Sequence, residues 1–169
     1  MRRLLLTIGA LAAASSLAVG LNGALAANRS AGAAVKVADT GSGLGRIIVD
    51  GRGRTLYLFE KDKHGKSVCT GQCAGFWPPL LSSGKPLAMA GAKASLLGTT
   101  KRADGRLQVT YNHHPLYTFA KDKSKGQTNG EGLNAFGALW YAVSPAGSTV
   151  VSGSSSSSSS SSSGGGSGY

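Results

Sequence analysis

Apolar and polar residues along the middle of the chain alternate in short runs, not in helical periods. Val35-Lys36-Val37-Ala38, Arg46 to Asp50 and Arg54 to Glu60 are rich in β-branched and aromatic residues. Glycines at Gly41 to Gly45 and at Gly51-Arg52-Gly53 separate them. The plan then recurs: Leu97 to Lys101, a hairpin turn at Ala103-Asp104-Gly105, Arg106 to Tyr111, a second turn at Asn112-His113, Pro115 to Ala120, and Leu139 to Val143. No segment carries a helical period apart from a short turn within Ala88 to Leu97. The pattern predicts an all-β fold, a compact sandwich or barrel built from two tandem pseudo-equivalent repeats, 35–95 and 96–150, that share one core.

The repeat is visible residue by residue. Leu56-Tyr57-Leu58-Phe59-Glu60-Lys61-Asp62-Lys63 returns 60 residues later as Leu116-Tyr117-Thr118-Phe119-Ala120-Lys121-Asp122-Lys123, with six of eight positions identical. Ile47-Ile48-Val49 maps near Leu107-Gln108-Val109, and Trp77-Pro78-Pro79 corresponds less closely to Trp140-Tyr141 and Pro145. In each copy Tyr57 and Phe59, or Tyr117 and Phe119, fall on one face of a strand, so two aromatic pairs can pack in equivalent places. Asp62 with Gly65, and Asp122 with Gly126 one residue further on, read as turns whose carboxylates accept backbone N–H bonds.

The two ends of the chain are of another kind. Residues 1–26 place Arg2 and Arg3 before an apolar run from Leu4 and finish on Ala24-Leu25-Ala26, the form of a secretory signal peptide; a retained anchor is the alternative. No later segment is apolar enough to span a bilayer. Residues 27–34 read as flexible, and 151–169 as a disordered Ser/Gly tail that cannot bury enough apolar surface to fold.

Charge narrows the function. The 169 residues carry 18 Lys+Arg against 7 Asp+Glu, and without the leader sixteen basic side chains still face the seven acids. Such a balance attracts acidic polymers, although a surface merely rich in lysine would look the same. The lysines repeat as well: Lys61, Lys63 and Lys66 follow the first aromatic run, and Lys121, Lys123 and Lys125 the second. They make two basic rims suited to an anionic cell-surface polymer, or simply solvated turns. Export argues against a specific nucleic-acid partner.

Cys69 and Cys73, the chain's two cysteines, are expected to pair in an oxidising compartment and to shape the loop before Trp77. Their spacing is neither the Cys-x2-Cys of thioredoxin-like motifs nor a haem-attachment signature, which weakens a redox role. The adjacent His113 and His114 find no third metal ligand at a recognisable spacing, and with His64 they read as turn residues. There is no nucleophile elbow, no paired carboxylates and no phosphate-binding loop. No catalytic residue, cofactor or metal site is therefore expected.

The two Tyr-x4-Asp blocks, Cys-x3-Cys followed by Trp77-Pro78-Pro79, the run Asp104 to Asn112 into Pro115-Leu116-Tyr117, and the closing Trp140-Tyr141-x-Val143-x-Pro145-x-Gly147 resemble the bacterial secreted repeat with a Tyr-x4-Asp motif, whose members are often described as predicted lipoproteins. The resemblance covers about Gly45 to Gly147 and implies an exported envelope protein of unknown biochemical function. The chain departs from it in two respects. No cysteine stands near the leader's end, so lipidation is not carried over, and His113 occupies a turn position where glycine is expected.

The expectation is thus a secreted, non-enzymatic protein of the envelope or extracellular space that binds anionic surface polymer. The alternative is a small redox- or metal-linked envelope protein using Cys69 and Cys73 or the histidines. Oligomeric state is not legible.

Overall fold

The computed structural model of the chain describes residues 32–150. The leader read over 1–26 and the tail read over 151–169 lie outside the described residues. Residues 32–34, expected to be flexible, are fixed: the Ala33 N–H donates to Ser82 Oγ at 2.9 Å and Ala34 pairs with Leu87.

In chain order the strands are β1 (Ala34–Asp39), β2 (Arg46–Asp50), β3 (Tyr57–Phe59), β4 (Leu87–Ala88), β5 (Leu97–Lys101), β6 (Leu107–Tyr111), β7 (His114–Pro115), β8 (Asn134–Ala135) and β9 (Ala138–Ala142). A five-residue helix α1 (Gln72–Phe76) and a single 3-10 turn (Ala94–Leu96) complete the elements. The strands form three small sheets, ordered β2-β1-β4, β3-β9-β8 and β5-β6-β7. The architecture is all-β and sandwich-like, and the sheets do not close into a barrel.

Strands expected over Arg54 to Glu60 and Pro115 to Ala120 are shorter than their sequence runs. Each run crosses between sheets at this point, so single bridges at Thr55 and Tyr117 replace a continuous ladder. The turn at Asn112-His113 joins β6 to β7 through two residues with φ of 47° and 65°, the type I′ signature of tight hairpins. His113 thus adopts the backbone that glycine would adopt more easily.

The two copies meet about a pseudo-two-fold axis. The Tyr57 N–H donates to the Tyr117 carbonyl at 2.8 Å, and the Tyr117 N–H returns the bond to Tyr57 at 3.0 Å. Hydrogen bonds away from the axis repeat in pairs: Ile48 N–H to Val143 O (2.7 Å) matches Val109 N–H to Leu80 O (2.8 Å), and Leu80 N–H to Leu116 O (2.9 Å) matches Val143 N–H to Leu56 O (3.2 Å). Thus Ile48 corresponds to Val109, one position beyond the sequence alignment, because the turn between Asp50 and Arg54 holds three residues and that between Tyr111 and His114 two. Trp77 and Pro78 correspond to Trp140 and Tyr141. Pro145 lies beyond the match, and its carbonyl accepts the Tyr111 hydroxyl at 3.0 Å.

Both faces of β3 are buried, and period-two alternation sorts them. Tyr57 and Phe59 enter a largely aromatic cluster with Trp77, Tyr117, Phe119, Trp140 and the two cysteines. Leu56 and Leu58 enter an aliphatic cluster with Val35, Ile48, Val109, Leu116 and Val143. Each cluster draws on both copies, so neither repeat owns a complete core.

Candidate functional site

The aromatic cluster is where the repeated motif acts. Phe59 stacks on Trp140 with ring centroids 4.0 Å apart, Trp140 on Trp77 at 3.9 Å, and Trp77 on Phe119 at 4.2 Å. The result is a four-ring column whose central step, Trp77 on Trp140, straddles the pseudo-two-fold. Tyr57 meets Trp77 edge-on at 5.4 Å, and Tyr117 meets Trp140 likewise at 5.1 Å. Stacked and edge-to-face pairs each add about 0.5–1.5 kcal/mol beyond the area they bury. The two aromatic pairs expected from the sequence are therefore parts of one assembly.

The hydroxyl groups then cross. Tyr57 Oη donates to Asp122 Oδ2 at 2.7 Å, and Tyr117 Oη donates to Asp62 Oδ2 at 2.6 Å. Each tyrosine is held by the aspartate of the other repeat. The remaining carboxylate oxygens organise the following loops: Asp62 Oδ1 accepts the Val68 N–H at 2.8 Å, and Asp122 Oδ1 accepts the N–H and side-chain amide of Asn129, both at 3.0 Å. Each carboxylate thus accepts a backbone N–H, but from Val68 or Asn129, which lie beyond the four-residue turn expected at Asp62-Lys63-His64-Gly65 and its counterpart. The backbone turns there through Lys66 N–H to Lys63 O at 2.9 Å while the carboxylate reaches inward; the turn after Asp122 is instead held by Gln127 Oε1, which accepts the Lys123 and Ser124 N–H groups.

Burial is the first cause of the electrostatics. It raises both phenol pKa values, and the neighbouring aspartate raises each further, so Tyr57 and Tyr117 keep their protons at any physiological pH. Burial also raises Asp62, opposed by the Tyr117 hydroxyl, the Val68 N–H and the Arg102 guanidinium. Neither phenol can serve as a base or nucleophile in that state. Chemically the motif is a clasp that joins the repeats.

The two tryptophans reach the column by different routes. Cys69 and Cys73 form a disulfide with Cα atoms 5.3 Å apart, and α1 runs from inside that loop to Phe76, handing Trp77 to the stack. The helix has no sequence signature because five residues, two of them Gly75 and Cys73, are too few to show a period. Trp140 is instead delivered by the β8–β9 hairpin, and its indole N–H donates to the Ala135 carbonyl at 3.1 Å.

A family model described as a secreted repeat of unknown function matches residues 41–81 and 98–144, together more than half of the chain. The chain belongs to this family. The protein is accordingly a secreted one, and the resemblance carried by its Tyr-x4-Asp motifs is confirmed. Each matched segment holds one tyrosine and one aspartate of the clasp, and both crossed Tyr–Asp bonds join the two segments. No curated protein and no solved structure matched the chain in the corresponding searches. No helix among the described residues is long and apolar enough to cross a membrane.

The six motif lysines are all exposed. Lys61, Lys63 and Lys66 follow Phe59 in the chain, and Lys121, Lys123 and Lys125 follow Phe119, the two rings that end the column. The ion pairs among the described residues join arginine to aspartate, Arg54–Asp50, Arg102–Asp104 and Arg106–Asp104, and leave these lysines unpaired. His64 and His113 are exposed turn residues, whereas His114 is half-buried. Its pKa is lowered by burial first and then by His113 and Lys63. Among the described residues no three His, Cys, Asp or Glu side chains stand close enough together to hold a metal ion.

Sequence reasoning missed the polar support of one clasp. Arg102 is buried, and it donates to Ser67 Oγ and Gln108 Oε1, both at 2.6 Å, and to the Cys69 carbonyl at 2.7 Å. Ser67, which accepts from Arg102, donates its own proton to the Tyr117 hydroxyl oxygen at 2.7 Å. Nothing in the sequence distinguishes Arg102 from its exposed basic neighbours.

Proposed function

We propose that the protein is a non-enzymatic binding module of the cell envelope or extracellular space that holds anionic surface polymer through Lys61, Lys63 and Lys66 after one tyrosine motif and Lys121, Lys123 and Lys125 after the other. The observation that carries this reading is that all six ammonium groups are exposed and outside any ion pair, on loops whose first residues are anchored by the buried Asp62 and Asp122. An anchored loop holds its charges in place, so less freedom is lost on binding. A polyanion meeting either rim releases counterions, which makes retention salt-dependent. Two rims on one rigid body also permit two attachments to one surface, and avidity then exceeds either contact alone.

The test is retention of the secreted chain on immobilised polyglutamate across a salt series. Replacing all six lysines by glutamine is expected to abolish low-salt retention and leave the thermal unfolding midpoint nearly unchanged. Unaltered retention in that variant would refute the reading, and loss of function with Cys69→Ser alone would favour the redox alternative.

A further inference from the structure

Two phenylalanines outside the column remain unexplained by the clasp. Phe76, at the end of α1, is 43% exposed, and Phe136, at the tip of the β8–β9 hairpin, is 37% exposed. Their rings face one another across the surface with centroids 6.0 Å apart and planes tilted by 42°. Phe136 holds φ at 57° in a two-residue turn with Gly137, a left-handed conformation that bulky residues rarely adopt. A strained backbone here displays an aromatic ring to solvent where glycine or asparagine would serve the turn better.

The position of the pair is informative. The Lys61 ammonium donates to the Phe136 carbonyl at 3.2 Å, which ties this ring to the first lysine rim. The Phe76 carbonyl accepts the N–H of Ala120, the residue before Lys121, at 2.8 Å, which ties the other ring to the second. An aromatic saddle therefore lies between the two basic rims. We infer that Phe76 and Phe136 stack on the sugar rings of an anionic polysaccharide whose acidic groups are held by the flanking lysines.

Charge and size both favour this occupant. Lys61, Lys63 and Lys66 outnumber Glu60, the exposed acid of the same loop, so an acidic chain is attracted there. Two rings, each less than half exposed, offer far less than the roughly 800 Å² per partner of a stable protein interface. They also offer little surface for insertion into a lipid layer. A sugar unit matches that small area, and aromatic side chains with a few convergent polar groups are the usual lining of small-ligand sites.

This inference rests on the lysine-rim reading and adds the chemistry of the polymer's repeating unit. The experiment compares binding of the intact chain to a polyuronate (alginate, calcium-free) and to polyglutamate at equal carboxylate concentration and salt. Alginate is expected to bind about tenfold more tightly, in keeping with one or two aromatic contacts. In Phe76→Ala/Phe136→Gly that preference should vanish, with both polymers bound at the polyglutamate level and the salt slope unchanged. Because Phe136→Gly relieves the left-handed strain, the hairpin in this variant should fold at least as well as before, and a thermal melt checks it. Equal binding of both polymers by the parent chain, or a preference that survives the double substitution, overturns the saddle while leaving the rims intact. Failure of the parent chain to bind either polymer at low salt overturns both. A change in sedimentation mass in place of polymer preference would make the pair a contact between two copies, and also overturns the inference.

Discussion

The segment that leads from Asp62 to Trp77 and the one that leads from Asp122 to Trp140 perform the same task with different materials. The first uses a disulfide and a five-residue helix, the second a hairpin without a covalent strap. Both place an indole in the centre of the same column, 3.9 Å from its counterpart. The clasp on the first side is supported by Ser67 and the buried Arg102, that on the second by Asn129 and the Gly130 N–H, which donates to Tyr57 Oη at 3.2 Å. What the two halves have in common is the set of groups that meet at the axis. What differs is the scaffolding around it, and a duplicated motif can tolerate that divergence provided the rings and carboxylates still meet.

Truncation at the centre should have the largest effect. Trp77→Ala and Trp140→Ala are each expected to lower stability by about 3–5 kcal/mol in urea unfolding, the range for buried aromatic truncations. A large loss for one and a small loss for the other would break the equivalence of the two routes. High pH comes next. Burial and then the aspartates raise both phenols, so the folded chain holds these protons more firmly than the unfolded one. Their contribution is full below the unfolded tyrosine pKa near 10 and is lost as pH rises above it, by about 3 kcal/mol per pH unit for the pair. A pH series of melts checks the slope, and a single Tyr→Phe substitution should halve it.

At neutral pH, Tyr57→Phe and Tyr117→Phe should each cost about 1–3 kcal/mol by orphaning a buried carboxylate oxygen. Tyr57→Phe is expected to be the costlier, because it also strips the partner of the buried Gly130 N–H, whereas Ser67 keeps Arg102. Cys69→Ser should cost about 2 kcal/mol, the scale for closing so short a loop. A reductant should have the same effect on the parent chain and none on the variant. The smallest change is on the hairpin side of the tyrosine motif: His113→Gly should stabilise by about 0.5 kcal/mol by relieving φ of 65°.

The sequence made some of this plain. β2 and β5 match their runs to the residue, Tyr57, Phe59, Tyr117 and Phe119 enter the core, and the lysines of both copies are exposed, because alternation and charge are local properties that the fold respects. The crossing of the clasp was hidden, since two identical motifs do not say whether Asp62 serves Tyr57 or Tyr117. The answer lies in the antiparallel meeting of the strands, which is a tertiary fact. β4 and β8 are two residues long, too short for any period to register. Arg102 looked like one more surface cation, and Phe76 and Phe136 fell in segments with no repeat partner to draw attention to them.

A double-mutant comparison tests the crossing most directly. Tyr57→Phe is combined once with Asp122→Asn and once with Asp62→Asn, and unfolding free energies are measured for all singles and doubles. Exchange between the repeats predicts a coupling of about 1 kcal/mol or more for Tyr57 with Asp122 and near-additivity for Tyr57 with Asp62. Coupling confined to Tyr57 and Asp62, with additivity across the repeats, would contradict the account.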